Sequence, residues 1–140
     1  MATLVFFENY SEALSTALVD WSSDTFKLYY TNTAPDAAAD EAVADLPTEV
    51  SNGNGYTTGG LTLDSVTVSR TGDTTKISIA DEVLTASGSV GPMRYGVIYD
   101  STADIVVGYY DRGSSVTLVS GDTLTANFDD SAGFTTVAPA

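Results

Sequence analysis

The chain has 140 residues, no cysteine and no histidine, and it carries five Lys and Arg against nineteen Asp and Glu, a formal net charge of −14. The missing cysteine excludes disulfides and thiolate chemistry, and the missing histidine removes the commonest general base and metal ligand. The charge argues against nucleic acid, whose binding depends on neutralising phosphates with Lys and Arg, and against an anionic membrane; it favours solubility, cations and basic protein partners.

The length suits a single domain, residues 1–140, able to bury about two-thirds of the surface its unfolded form exposes. The opening MATLVFFENYSEAL lacks a basic leader and its apolar run stops at Glu8, so no secretory signal is expected. No stretch approaches the ~20 apolar residues of a membrane helix. The expectation is folding in the cytosol. The sparse charge and the many Thr, Ser and Gly residues nevertheless have the character of an extracellular or virion surface protein.

In chain order, TLVFF (3–7) reads as a short strand. NYSEALSTALVDW (9–21) reads as a helix, with Leu14, Ala17, Leu18 and Trp21 at i, i+3, i+4 and i+7, a capping box from Asn9 and Glu12, and Trp21 as a core anchor. DTFKLYYTN (24–32) alternates as a half-buried strand, with Phe26, Leu28 and Tyr30 on one face. Residues 33–50, acidic and alanine-rich between Pro35 and Pro47, read as a long surface excursion with a helical turn at 39–45.

SNGNGYTTGG (51–60) reads as a glycine-rich hinge. In GLTLDSVTVSR the apolar parity switches at Asp64-Ser65, which predicts a bulge or a corner. Strands follow at 75–88, with Ile77, Ile79, Val83 and Leu84. MRYGVIYD and DIVVGYYDRG form a hairpin about DSTAD (100–104). Tyr95, Val97 and Tyr99 should share a face on its first arm, and Ile105, Val107 and Tyr109 on its second. SVTLVSGDTLTANFDD gives two strands about Ser120-Gly121-Asp122, with Leu124, Ala126 and Phe128 aligned, and GFTTVAP closes as an edge strand. About eight short antiparallel strands with turn signals between them, preceded by one short helix, predict an all-β sandwich or barrel.

The chemistry these residues support is narrow. SNGNGYTTGG has no lysine for a Walker A loop, its glycines fall one residue out of dinucleotide-fingerprint register, and a strand follows it. Asn-Gly pairs and Gly59-Gly60 instead suit positive φ and close backbone approach, with the Tyr56 ring pinning the loop. Serine nucleophiles lack a histidine base, and no motif places Lys27 or Lys76 beside a serine. DSTAD and FDDSAG could offer oxygen ligands to Ca²⁺ but match no calcium-loop pattern, so no metal is assigned. Tyr10, Tyr29, Tyr56, Tyr109 and Tyr110 could line a sugar- or protein-binding face, although core positions with a wet hydroxyl explain them more simply. No catalytic, cofactor or metal residue is assigned, and no enzymatic activity is expected.

Three stretches, taken together, carry a resemblance. They are WSSDTFKLYYTNTAPDAAADEAVADLPTEV with GNGYTTGG, then MRYGVIYDSTADIVVGYYDRG, then SGDTLTANFDDSAGFTTV. In this order the chain resembles small structural proteins of tailed bacteriophages, with a Gly-Tyr-Thr-x-Gly-Gly segment (Gly55 to Gly60), an Arg-Tyr-x-Val-x-Tyr-Asp strand (Arg94 to Asp100) and a Gly-Tyr-x-Asp turn (Gly108 to Asp111). Arg112 stands where the family pattern would have an aromatic residue. The resemblance implies a non-enzymatic virion component, and within that class a capsid decoration (cement) protein. It implies copies of itself, as a homo-trimer, and the major capsid protein as partners, a place on the capsid surface, and assembly in the host cytoplasm. A tail, neck or fibre subunit and a carbohydrate-binding β-sandwich are the alternatives. The residues expected to serve assembly or its scaffold are Leu4, Val5, Phe6 and Phe7 at the N-terminus, Asp36, Asp40 and Glu41 in the excursion, Gly55, Tyr56, Gly59 and Gly60 in the hinge, and Arg94 and Tyr95 in the hairpin.

Overall fold

The computed structural model describes residues 4–128 and 135–137. It is all-β. The described residues form ten strands, paired antiparallel throughout, and one short α-helix. In chain order these are β1 (Leu4–Phe6), α1 (Glu8–Ser15), β2 (Phe26–Thr31), β3 (Leu61–Thr62), β4 (Thr67–Thr71), β5 (Thr74–Ser78), β6 (Glu82–Thr85), β7 (Val90–Asp100), β8 (Ile105–Leu118), β9 (Thr123–Ala126) and β10 (Thr135–Val137). A five-stranded sheet runs β1-β8-β7-β2-β3, a three-stranded sheet β10-β5-β4, and a two-stranded sheet β6-β9.

The long sheet is apolar on both faces, and each face has its own cover. Leu28, Tyr30, Ile98, Val107 and Tyr110 turn toward a core shared with Tyr10 of α1, Ile77 of β5, Leu84 of β6 and Ala126 of β9. This is the sandwich-like layer. Tyr29, Val97, Tyr99 and Val106 turn the other way, onto a smaller core with Phe7 and Leu46. The cover on that side is the 33–50 segment. Its backbone is strapped down where Val106 N–H donates to the Glu41 carbonyl (3.1 Å) and Val50 N–H to that of Tyr30 (3.0 Å). The Tyr29 hydroxyl donates to Pro47 O (2.6 Å) and Thr31 Oγ1 to Thr48 O (2.8 Å). The excursion expected at the surface is therefore also a lid on a second core, with a 3₁₀ turn at Val43–Asp45 inside the expected helical stretch.

The helix is shorter than its periodicity predicts. It stops at Ser15, Leu18 N–H reaches back to Ala13 O and Ala17 N–H to Leu14 O, and Ala17 takes φ 60°. This is a Schellman ending with alanine in the left-handed position usually held by glycine. Ala17 and Leu18 consequently face solvent, and the expected stripe is cut in half. The expected capping box does not form either: Phe7 is the N-cap, and Asn9 Nδ2 donates to Glu41 O instead. Trp21 is the anchor its size predicts, stacked on Phe26 with ring centroids 3.8 Å apart and donating its indole N–H to the Tyr10 hydroxyl (2.8 Å).

Two register details change the strand pattern. Ile98 pairs with Gly108 but Tyr99 with Val106, so Val107 is an extra residue in β8. This bulge puts Ile105 and Val107 against the larger core and Tyr109 against the smaller one, where simple alternation would align all three. The stretch 115–118 is a continuation of β8 rather than a new strand. Past the turn at 119–122, β9 pairs with β6 and not with its sequence neighbour. The parity switch at Asp64-Ser65 is a corner: Ser65 sits at φ 52°, and the chain passes there from the five-stranded to the three-stranded sheet.

Candidate assembly surface

The hinge and hairpin motifs meet in space, and they meet as scaffold. Tyr56 is buried, and its hydroxyl accepts Tyr30 N–H (3.1 Å) while donating to Glu49 Oε1 (2.8 Å). The same Glu49 oxygen accepts Gly59 N–H (2.7 Å), and the Tyr99 hydroxyl donates to Gly59 O. Gly60, at φ 98°, lies so close to β2 that a Cβ there would stand 2.3 Å from Leu28 O; at Gly55 it would stand 2.1 Å from Thr85 O. These glycines serve backbone approach, as the sequence reading expects.

In the hairpin, Arg94 Nε and Nη2 clamp both carboxylate oxygens of Asp111 across the strands (2.7 and 2.8 Å), and the guanidinium lies over the Tyr95 ring at 5.4 Å. Arg94 beside it, with Gly113 N–H, holds the Asp111 carboxyl below the usual carboxylate range. Tyr95 meets Tyr109 edge-on. Gly96 is a seat for the Tyr110 ring, because any side chain there would stand 2.5 Å from it. The Gly-Tyr-x-Asp turn is thus a run of β8 whose residues lock onto Arg94, Tyr95 and Gly96 opposite.

The tyrosines do not form a binding face. Tyr10, Tyr29, Tyr56 and Tyr110 are buried, and Tyr109 is half-buried against Phe7. Burial first, then Glu49 and Tyr99, pushes the Tyr29 hydroxyl up to about 12. Burial raises Tyr30 and Tyr56 as well.

The excursion's acids divide. Asp36 Oδ1 accepts the N–H groups of Ala38 and Ala39, and buried Asp40 accepts that of Asp36 (2.9 Å). Those two carboxylates build turns. Glu41 is exposed and binds through its carbonyl, Glu8 and Glu12 are exposed too, and Asp45 Oδ2 accepts the Glu41 and Ala42 N–H groups in a further turn. At the N-terminus, Phe7 is core at 1 % exposure and unavailable to a partner, and Leu4 packs partly into the larger core. Val5 and Phe6 are 41 % and 40 % exposed on β1, which stands at an edge of the five-stranded sheet. Among the described residues, Leu18, Val68, Val83 and Val119 are exposed as well, so the β1 edge is one of several apolar surface positions. Ala2 and Thr3 of the expected N-terminal contact lie outside the described residues, as does most of FDDSAG.

A separate feature sits at the tip of the β7–β8 hairpin. Asp100 is fully buried, Oδ1 accepts the Thr102 and Ala103 N–H groups, and burial, then Asp24 beside it, pushes the carboxyl up to about 7.

Comparison of the chain with protein-family models, with curated proteins and with solved structures gave no match.

Proposed function

We propose that this chain is a non-enzymatic structural protein of a bacteriophage virion, a capsid decoration protein that stabilises the shell through contacts with the major capsid protein and with its own copies. The observation that carries the reading is β1: a three-residue strand at an edge of the five-stranded sheet, with Val5 41 % exposed and Phe6 stacked on Tyr10, in a protein of net charge −14. A sheet edge can offer backbone N–H and C=O groups to a strand from a neighbour, and apolar side chains beside it add area to that pairing. The surrounding carboxylates repel free copies and packaged nucleic acid alike, which suits a subunit that stays soluble until it meets its shell. The resemblance of the hinge and hairpin motifs to phage virion proteins supports the same reading.

The test is cryo-electron microscopy of particles assembled with and without the protein. Density for this chain at three-fold or quasi-three-fold positions of the shell is expected, together with rupture at lower temperature when it is omitted. Density on the tail alone, or an unchanged rupture temperature, would reject the proposal.

A further inference from the structure

We propose that Asp24 and Asp100 together bind a divalent cation of the calcium class, bridging the turn before β2 to the β7–β8 hairpin. Asp100 is fully buried and its Oδ1 is committed to two backbone N–H groups, but its Oδ2, also buried, has no hydrogen-bond partner. The carboxyl group within reach of it is Asp24, itself held by one oxygen, Oδ2, which accepts Asp20 N–H (3.0 Å). Each acid is fixed to its own turn through one oxygen. No Lys or Arg is among the groups acting on Asp100. A buried carboxylate with a half-buried one beside it and no positive charge acting on it is unfavourable, and a cation between them removes the repulsion.

The surroundings match a hard cation. The two turns are laced by Ser101 N–H and Ser101 Oγ donating to Thr25 O (2.8 and 2.9 Å) and by Thr25 N–H donating to Thr102 Oγ1 (3.0 Å). The two turns that carry the acids are therefore fixed to each other before any ion arrives. Oxygen-only donors select Ca²⁺ or Mg²⁺ over softer metals, and the looser coordination of Ca²⁺ suits two carboxylates from separate turns completed by water. With so few protein ligands, affinity falls at the weak end, a dissociation constant on the order of 10⁻⁴–10⁻³ M.

Trp21, the chain's single tryptophan, lies three residues before Asp24 and reports on the site. Titrating the metal-free protein with CaCl₂ should give a saturable change in tryptophan fluorescence and a rise in melting temperature, with equilibrium dialysis saturating at one Ca²⁺ per chain in the same concentration range. Asp24→Asn should remove all three while leaving the protein folded, and Asp100→Asn, which keeps an Oδ1 acceptor for the turn, should do the same. NaCl at equal ionic strength should not reproduce the saturation. Absence of saturable binding would mean that the pair merely shares a proton, and would overturn the proposal. An equal response in Asp24→Asn, or in NaCl, would reduce it to screening of a strongly acidic surface and overturn it as well.

Discussion

Gly60 and Ala17 show opposite uses of left-handed backbone. At Gly60 the positive φ comes with a neighbour, Leu28 O, where a side chain would stand, so Gly60→Ala should clash as well as strain. At Gly53 the φ is 119° but the space is open, so Gly53→Ala should cost only about 1–2 kcal/mol. Urea midpoints should separate the two, with Gly60→Ala far lower or lost to aggregation. Gly59, which has room and only a strained φ, should behave more like Gly53 when changed to alanine. Ala17 is the reverse case, an alanine where the helix ending favours glycine. Ala17→Gly should raise stability by about 1 kcal/mol, read as a higher urea midpoint. Tyr56→Phe leaves the buried Tyr30 N–H without its acceptor and should cost about 1–3 kcal/mol in the same assay.

At the scale of elements, what the sequence makes legible is set by how local its cause is. The alternation of Phe26, Leu28 and Tyr30 is visible because β2 is straight, and the hairpin about DSTAD because its turn residues lie within one short stretch. The helix end at Ser15 is hidden because alanine, not glycine, fills the left-handed position, so no stop signal is written there. The inserted Val107 is hidden because a bulge depends on the partner strand, and β6–β9 pairing is hidden because the turn at 119–122 looks like a hairpin. The assembly candidates divide the same way. Val5 and Phe6 are exposed as expected. Phe7 is not, because the 33–50 segment folds back and roofs it, a long-range event that apolar patterning cannot announce. The edge strand itself invites a variant test. Val5→Lys should leave the melting temperature nearly unchanged, since that side chain is 41 % exposed, yet abolish sedimentation of the protein with assembled shells.

For the whole molecule, the tyrosines set a limit on alkaline stability. In the unfolded chain they lose protons near pH 10, whereas folded Tyr29 holds its proton to about pH 12, and Tyr30 and Tyr56 are raised too. A folded-state pKa above the unfolded one means the native state binds more protons in that window. The stability these groups contribute is fully present below about pH 10 and is lost as pH rises toward 12. Absorbance at 295 nm should show the buried phenols ionising together with loss of structure. A smooth titration of every tyrosine near pH 10 with the fold intact would contradict the burial described above.

The pairing of β1 with β8 also has a temporal meaning. Leu4 stands opposite Tyr110, so during synthesis β1 waits for a partner made about a hundred residues later. Until β8 is made, β1 has no strand to pair with on that side. A topology dominated by such distant pairings folds slowly, on the order of milliseconds to seconds.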